Sequence, residues 1–348
     1  MSDGIGEPGC LPLTGYSITD LRVLGFHQRV PGQRFGLRTL AVGGEGAGMP
    51  MLVMNQQLDV AGRLLRTARV DGDGYQFLSD PEALVAELRR RPDRPDLLTF
   101  VERVNVTERR YPFPMEWDNY AVIPVTTFEN YFRNQIQTVA RNRARQAGKR
   151  GVELREVEFS DELVRGIWEI YNESPLRQGR PYPHYGKSLE TVYREEATFL
   201  DRAAFTGAYF EGELIGFIKL VWDDQKVQGA LMNILSKLAQ RDKSPTNALV
   251  CEAVKMCERR GLSHLVYSHY GFAGKTRDNL SDFKDKTGFK RVDVPRYWVP
   301  LSAWGRMAMG MGLHRRWRDR LPEGLGNKLR GLRADWYQWR HRAAKAGA

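Results

Sequence analysis

Cysteine is scarce in this 348-residue chain: there are three, Cys10, Cys251 and Cys257. Three thiols cannot make a disulfide framework, and their spacing fits no zinc-ligand pattern. Long apolar runs are missing as well. No stretch nears the roughly 18 consecutive apolar residues that span a bilayer. The first 30 residues lack a charged segment followed by an apolar core, so no secretory leader is expected. Internal repeats and low-complexity runs are also absent. Hydrophobic residues are 42% and charged residues 27%, which excludes a collagen, a disulfide scaffold or disorder throughout. The expectation is a cytoplasmic protein with reduced thiols and no bound metal.

Most of the excess of base over acid sits in the tail. The net charge is +11, but residues 301–348 hold 11 basic and 3 acidic side chains, a net of +8, which leaves +3 for the first 300 residues. The body is nearly balanced, so a general inference from basic charge to nucleic acid loses most of its force. At roughly 100–200 residues per domain, the length implies one large or two ordinary domains.

Periodicity supplies the elements. Residues 37–42, 50–55 and 58–70 read as strands broken by glycine-rich turns, including Asp71-Gly-Asp-Gly. A helix is expected at 83–91, behind Ser79, Asp80 and Pro81, and a buried strand at 97–106. Residues 130–148 have helical composition, and with the two residues after them they carry Arg133, Arg141, Arg143, Arg145, Lys149 and Arg150 with no acid between them. This run fits RNA or lipid phosphate, or else a solvated interdomain helix. Then follow a strand at 152–159, a helix from Ser160 to Tyr171, an irregular loop at 172–187 and a helix at 189–200. A hairpin pairs 204–210 with 214–222, and 229–236 is the next strand. Ser244 at the cap and Pro245 at the first helical position open a helix that Gly261 ends. A strand at 262–268, a short helix at 279–287 and a strand at 290–299 complete the order β-α-α-β-β-β-α-β-α-β.

Over residues 150–300 this order resembles the GNAT acyltransferase superfamily. The narrower likeness is to its FemAB/FemX-like branch, whose members carry two GNAT-like domains in one chain. Three motifs carry it: the basic run Arg141-Asn-Arg-Ala-Arg-Gln-Ala-Gly-Lys-Arg-Gly-Val, the helix from Ser244 to Leu262, and Leu280-Ser-Asp-Phe-Lys-Asp-Lys-Thr-Gly-Phe. The fold expected is α/β (α+β): tandem GNAT-like domains, each a mixed central sheet flanked by helices, with a helical basic tail. The divisions are residues 1–130, a degenerate first domain; 131–300, the acyltransferase domain; and 301–348, the tail. Ordinary acetyl-CoA members carry a glycine-rich loop before the central helix, and here 240–247 has no glycine. Where many members place a tyrosine, this chain has Lys284, as in the FemAB branch.

The resemblance places Lys284 at the reacting end, where a fixed cation would stabilise the tetrahedral oxyanion of acyl transfer. The alternative is a solvated lysine on a polar helix face. Ser244, Thr246 and Asn247, flanked by Lys237, Arg241 and Lys243, suit a phosphate or pyrophosphate at the start of a helix, or are an ordinary capped helix. In the 172–187 loop, which the resemblance makes the acceptor site, Arg177 and Arg180 would clamp an anion. Tyr182 and Tyr185 would pack on substrate. His184, with an ordinary pKa near ~6.5, would take the amine proton. The alternative is a surface loop packed on the core. His264 and His269 read as structural, and Cys251 and Cys257 as packing residues.

Four of the eight tryptophans, Trp304, Trp317, Trp336 and Trp339, fall in the tail. Leu329, Leu332, Trp336 and Trp339 recur at helical spacing beside arginines, a pattern that fits an anionic membrane surface, packing on the body, or RNA. The resemblance implies an N-acyltransferase with acyl-CoA as cosubstrate and no tightly bound cofactor. Its acceptor would be a small-molecule or lipid-linked amine of the cell envelope or a glycan precursor. The alternatives are an aminoacyl-tRNA donor, or a non-catalytic RNA- or membrane-binding adaptor, peripheral at the inner face of the membrane.

Overall fold

The computed structural model describes residues 49–177, 180–271 and 279–315; the strand expected at 37–42 and the tail beyond 315 lie outside them. The elements run β1 (Met49–Val53), β2 (Gln56–Ala61), β3 (Thr67–Val70), α1 (Pro81–Arg90), β4 (Leu97–Val101), β5 (Met115–Pro124), α2 (Phe128–Asn130), a π-helical turn (Tyr131–Gln135) and α3 (Thr138–Lys149). They continue β6 (Glu153–Val157), α4 (Asp161–Asn172), β7 (Leu176–Arg177), β8 (Arg180–Pro181), α5 (Leu189–Glu196), β9 (Ala203–Phe210), β10 (Glu213–Trp222) and β11 (Gln228–Ser236). The last are α6 (Pro245–Arg259), β12 (His264–His269), α7 (Asn279–Lys286), β13 (Lys290–Pro300) and α8 (Ala303–Gly310).

Eleven strands form one mixed sheet in the order β1-β2-β3-β4-β13-β5-β12-β11-β10-β9-β6, and β7 and β8 make a separate two-residue pair. The first and second parts of the chain interleave at its centre. β13 lies between β4 and β5, and β5 lies between β13 and β12. β5 is a strand that periodicity does not reveal. Its first half, Met115-Glu-Trp-Asp-Asn, mixes charge with two β-poor residues, while Tyr120–Ile123 is buried throughout.

Other differences have local causes. The 58–70 run is a hairpin arm and a second strand, because Gly62 turns the chain at φ 102° and a Cβ there would lie 2.2 Å from the Leu65 carbonyl oxygen. The 130–148 helix is broken. Gln137 is extended and donates its amide to the Lys286 carbonyl (3.0 Å), and the buried Tyr131 hydroxyl donates to the Thr287 carbonyl (3.0 Å). Two capture points on one helix end thus outweigh continuous helical propensity. α5 stops at Glu196, and Phe199 turns left-handed at φ 56°.

The sheet has a helix layer on each face. On one, α3 and α6 pack through Ala140, Ala147, Leu249, Ala253 and Val254 onto Ile123, Ile215, Ile218 and Leu265. On the other, α4 and α5 cover Phe205 and Phe217 through Ile167, Ile170, Tyr171 and Val192. Beside them, Tyr75 and Phe77 lie over Tyr120, Val122, Ala230 and Val266. Ile123 is fully buried on the inserted strand. Ile123→Ala is expected to cost about 2–5 kcal/mol in urea unfolding, with an unchanged m-value.

Candidate active site

The site begins with a parting of strands. β11 and β12 pair in parallel at Gln228–His264, Gly229–Leu265 and Ala230–Val266, and no further. Beyond these, β11 carries an extra residue, Met232, where its register against β10 shifts at Lys219/Leu220. Such a bulge bends a strand and increases its twist. On the other side, Ser268 turns left-handed at φ 50°. The result is a gap between two edges whose backbone groups face one another without pairing.

Lys284 of α7 closes one edge. It is 1% exposed, its Nζ donates to the His269 carbonyl (2.5 Å), and it lies 4.8 Å from the centre of the Tyr267 ring. A cation this deep requires such partners. The His269 ring stacks on Tyr120 (5.0 Å) and its Nε2 lies 3.0 Å from the Asp118 carboxylate. Arg296 donates from Nε to Asp118 (2.8 Å) and from Nη1 to Asp73 (2.8 Å). Burial alone would raise the Asp118 carboxyl, but the His269 hydrogen bond and the Arg296 charge outweigh it and hold its pKa well below the usual range. The chain Lys284–His269–Asp118–Arg296–Asp73 therefore ties the motif lysine to the Asp71-Gly-Asp-Gly turn.

A second buried group stands against the other edge. Glu196, 1% exposed, accepts at Oε1 from the Tyr171 hydroxyl (2.9 Å) and from Nδ2 of Asn233 (2.7 Å), the residue next to the bulge. Its Oε2 has no hydrogen-bond partner among the described residues and lies 4.0 Å from Lys219 Nζ. Lys219 donates to the Glu196 carbonyl (2.8 Å) and to Thr198 (2.9 Å). Burial raises the Glu196 pKa, and it lowers the Lys219 amine to about 8 against the pull of Glu196. Both shifts have one direction of meaning: desolvation exceeds the attraction within the pair. Tyr75 sits within reach of these charges. Its hydroxyl is pushed up to about 12 by burial first, then by Glu196 and Tyr267.

The residues expected from sequence fall into separate places. His184 stacks on Tyr171 (4.3 Å) and Tyr182 (5.3 Å), and Nδ1 lies 3.2 Å from Lys187 Nζ. Arg177 donates to the Ser236 and Ile170 carbonyls (2.9 Å each) and lies over Tyr182 (4.7 Å). The Tyr182 hydroxyl is buried without a hydrogen-bond partner among the described residues, and Tyr185 is exposed. Arg180 is on β8, and its side chain lies outside the described residues.

The group expected to hold a phosphate is dispersed. Lys237 pairs with Glu213 and with Glu169 (3.6 Å). Lys243 lies over the Phe210 ring (4.3 Å) and 3.6 Å from Asp242, and Arg241 is exposed. Ser244 is left-handed at φ 58° and makes no side-chain cap, a departure from the cap read in the sequence. Thr246 shares a hydrogen bond with Ser236 (2.9 Å). Asn247 faces away from these, into a cavity of about 290 Å³ between α3, α6 and α7.

The loop between β11 and α6 holds an anion of its own. Glu173 accepts from the Leu238 amide (2.6 Å) and the Ala239 amide (2.9 Å), with Arg177 3.4 Å away. Those amides open the short 3-10 turn Leu238–Lys243 that precedes α6, not α6 itself.

His264 and His269 stand at opposite ends of β12, and no cluster of three or more metal-ligating side chains occurs among the described residues. Cys251 and Cys257 are buried in α6, their thiols pushed up to about 12 by burial. Glu196, Glu173, Asp118, Arg296 and Tyr75 were not singled out by sequence. One signal was available: Glu195-Glu196 puts two acids at a helix C-terminus, where the helix dipole disfavours them.

No family model matches this sequence, and no curated protein matches it. Solved structures do. The C-terminal domain of a putative lysylphosphatidylglycerol synthetase from Agrobacterium fabrum superposes with a TM-score of 0.51 at 13% identity, over 76% of this chain and 88% of that one. L-PGS from Bacillus licheniformis gives 0.51 at 14% identity, over 78% and 90%. FemX gives 0.49 at 9% identity, over 69% and 83%. At these identities the likeness is one of fold alone, and the chain shares the fold of the two structures from Agrobacterium fabrum and Bacillus licheniformis.

Proposed function

We propose that this chain is an acyltransferase whose reaction centre is the gap between β11 and β12, with Lys284 as the cation that stabilises the oxyanion. The observation that carries this reading is Lys284 itself: a fully buried ammonium fixed at the open edge of a parted parallel pair. An acceptor amine or hydroxyl attacks the donor carbonyl. The electron pair moves to the carbonyl oxygen beside the ammonium, then returns as the leaving group departs. A preorganised donor at the oxyanion is worth roughly a hundredfold or more in rate.

The donor we propose is an aminoacyl ester of tRNA. Glu173 supports it. The acyl-CoA reading places pyrophosphate at 240–247, and this carboxylate sits on the two amides just ahead of that run. A pyrophosphate at the start of α6 would therefore meet the like charge of Glu173 on its approach loop. For the acceptor, the fold neighbours named for lysylphosphatidylglycerol synthesis favour a lipid-linked one, reached at a membrane surface through residues 301–348. No helix of the described residues is long and apolar enough to cross a membrane.

His184 is handicapped as the proton acceptor. Burial first, then Lys187 and Arg177, lower its pKa to about 4. At neutral pH it is an uncharged, weakly basic ring. We propose instead that it orders the loop over Tyr171 and that the proton leaves through water.

Three outcomes follow. With tRNA charged with radiolabelled amino acids and lipid vesicles, the chain should transfer label to lipid. Lys284→Met, which keeps the side chain's bulk, should lower kcat by roughly a hundredfold with an unchanged circular dichroism spectrum; full activity in this variant overturns the assigned role. The folded pKa of His184 lies below the unfolded value, so its contribution to stability is present above pH ~6.5 and is lost as pH falls toward about 4. The ring is only partly shielded, so we expect about 1–2 kcal/mol less loss in His184→Phe than in the parent when urea unfolding is compared at these two pH values.

A further inference from the structure

Tyr75 has no part in the mechanism above. It follows the Asp71-Gly-Asp-Gly turn, and its ring packs on Tyr120, Val122, Ala230 and Val266. Ala230 and Val266 are the last pair before β11 and β12 separate, so the ring stands at the mouth of the gap. Tyr267, one residue beyond Val266 on β12, belongs to the other face, in the cluster of α3 and α6. Even so, the Tyr75 hydroxyl lies in the field of Tyr267 as well as of Glu196. Phenols on the two faces of a closed sheet point apart; these two come within reach of one another where the sheet is open. Lys284 Nζ lies 4.8 Å from the centre of the Tyr267 ring, which makes Tyr267 the common neighbour of the ammonium and the Tyr75 hydroxyl. Both phenols are half-buried, and neither hydroxyl makes a hydrogen bond among the described residues. Shielded polar groups in native proteins have partners as a rule, and two unmet hydroxyls at one opening leave that role to a ligand.

Tyr75 is also held still. Its amide donates to the Gly72 carbonyl (2.8 Å), and its ring centre lies 6.1 Å from that of Phe199. Gly72 has φ 69°, and a Cβ there would lie 2.6 Å from the Phe199 ring, so the turn approaches Phe199 more closely than any side chain permits. Arg296 fixes the same turn through Asp73 (2.8 Å). A donor held in this way needs no reorganisation at the moment of reaction.

We propose that Tyr75 is a second catalytic residue of the gap, its hydroxyl donating to the acyl oxygen that Lys284 also faces. This deepens the reading of the gap as the reaction centre and rests on it. An oxyanion can accept more than one hydrogen bond, and Lys284 already gives one of its donors to the His269 carbonyl. Burial first, then Glu196 and Tyr267, push the Tyr75 phenol up to about 12, so at neutral pH it is a donor and not a base. Tyr267 fits the part less well, because its ring is engaged by Lys284 and by Phe289 (5.7 Å). The carbonyl would then be held from both sides of the sheet, by a cation from α7 and a phenol from the first part of the chain.

The test follows label from tRNA charged with radiolabelled amino acids to lipid vesicles, with the full chain. Tyr75→Phe should lower kcat by roughly a hundredfold and leave KM for the charged tRNA nearly unchanged. A packing role would not depend on the acidity of the phenol, so a second variant, Tyr75→3-fluorotyrosine, keeps the ring and makes the hydroxyl more acidic. Its kcat should begin to fall at a lower pH than that of the parent. Full activity in Tyr75→Phe overturns the proposal. So does an alkaline limb that stays in place in the fluorinated variant, and so does a rise in KM that accounts for the whole loss. A parent chain that transfers no label refutes the transferase reading and this role with it; a parent that transfers while Tyr75→Phe keeps its rate refutes this role alone.

Discussion

After Ala230 and Val266, two parallel strands that should continue their hydrogen bonding separate instead. That separation leaves two rows of backbone groups in the middle of a protein, where unmet polar groups cost most. Much of the surrounding structure serves it. The bulge at Met232 and the left-handed Ser268 bend the two edges apart. Lys284 takes the carbonyl at the end of β12, and Asn233, next to the bulge, is held by Glu196. A gap framed in this way is a weakness in the sheet that also carries fixed charge at its centre.

The interleaving of β5 and β13 gives that gap a rigid wall. β12 has its paired neighbour on the far side in β5, and β5 in turn pairs over eight residues with β13. Both supply the charges behind His269: Asp118 from β5 and Arg296 from β13. Arg296 also reaches Asp73, so the first part of the chain helps fix the position of the motif lysine. Tyr75, from the same turn region, lies in the field of Glu196. The first part of the chain is therefore built into the site, whatever its own ancestry.

What sequence reveals here is what repeats. The alternating and 3.6-residue patterns locate most elements from α4 onward, and the Lys284 motif points to the residue that stands at the gap. The central strand β5 stays hidden because Asp118 and Asn119 are poor strand formers, kept there by contacts with His269, Arg296 and Gly271 that are distant in sequence. Glu196, Glu173 and Asp118 stay hidden for a related reason. Each is an ordinary acid on paper, and its meaning comes from long-range burial or from which amide it meets. Lys237 errs the other way. It looks like a phosphate ligand beside the helix start until Glu213 and Glu169 are seen to hold it.

Glu173 puts a negative charge just ahead of the run that opens α6. Its carboxylate sits on the Leu238 and Ala239 amides, braced by Arg177, which also grips the end of β11. Any diphosphate arriving at that loop meets a like charge and two amides already engaged. Isothermal calorimetry of the full chain with CoA tests this most directly. The account predicts no saturable heat up to millimolar CoA; saturable binding at micromolar concentrations would contradict it.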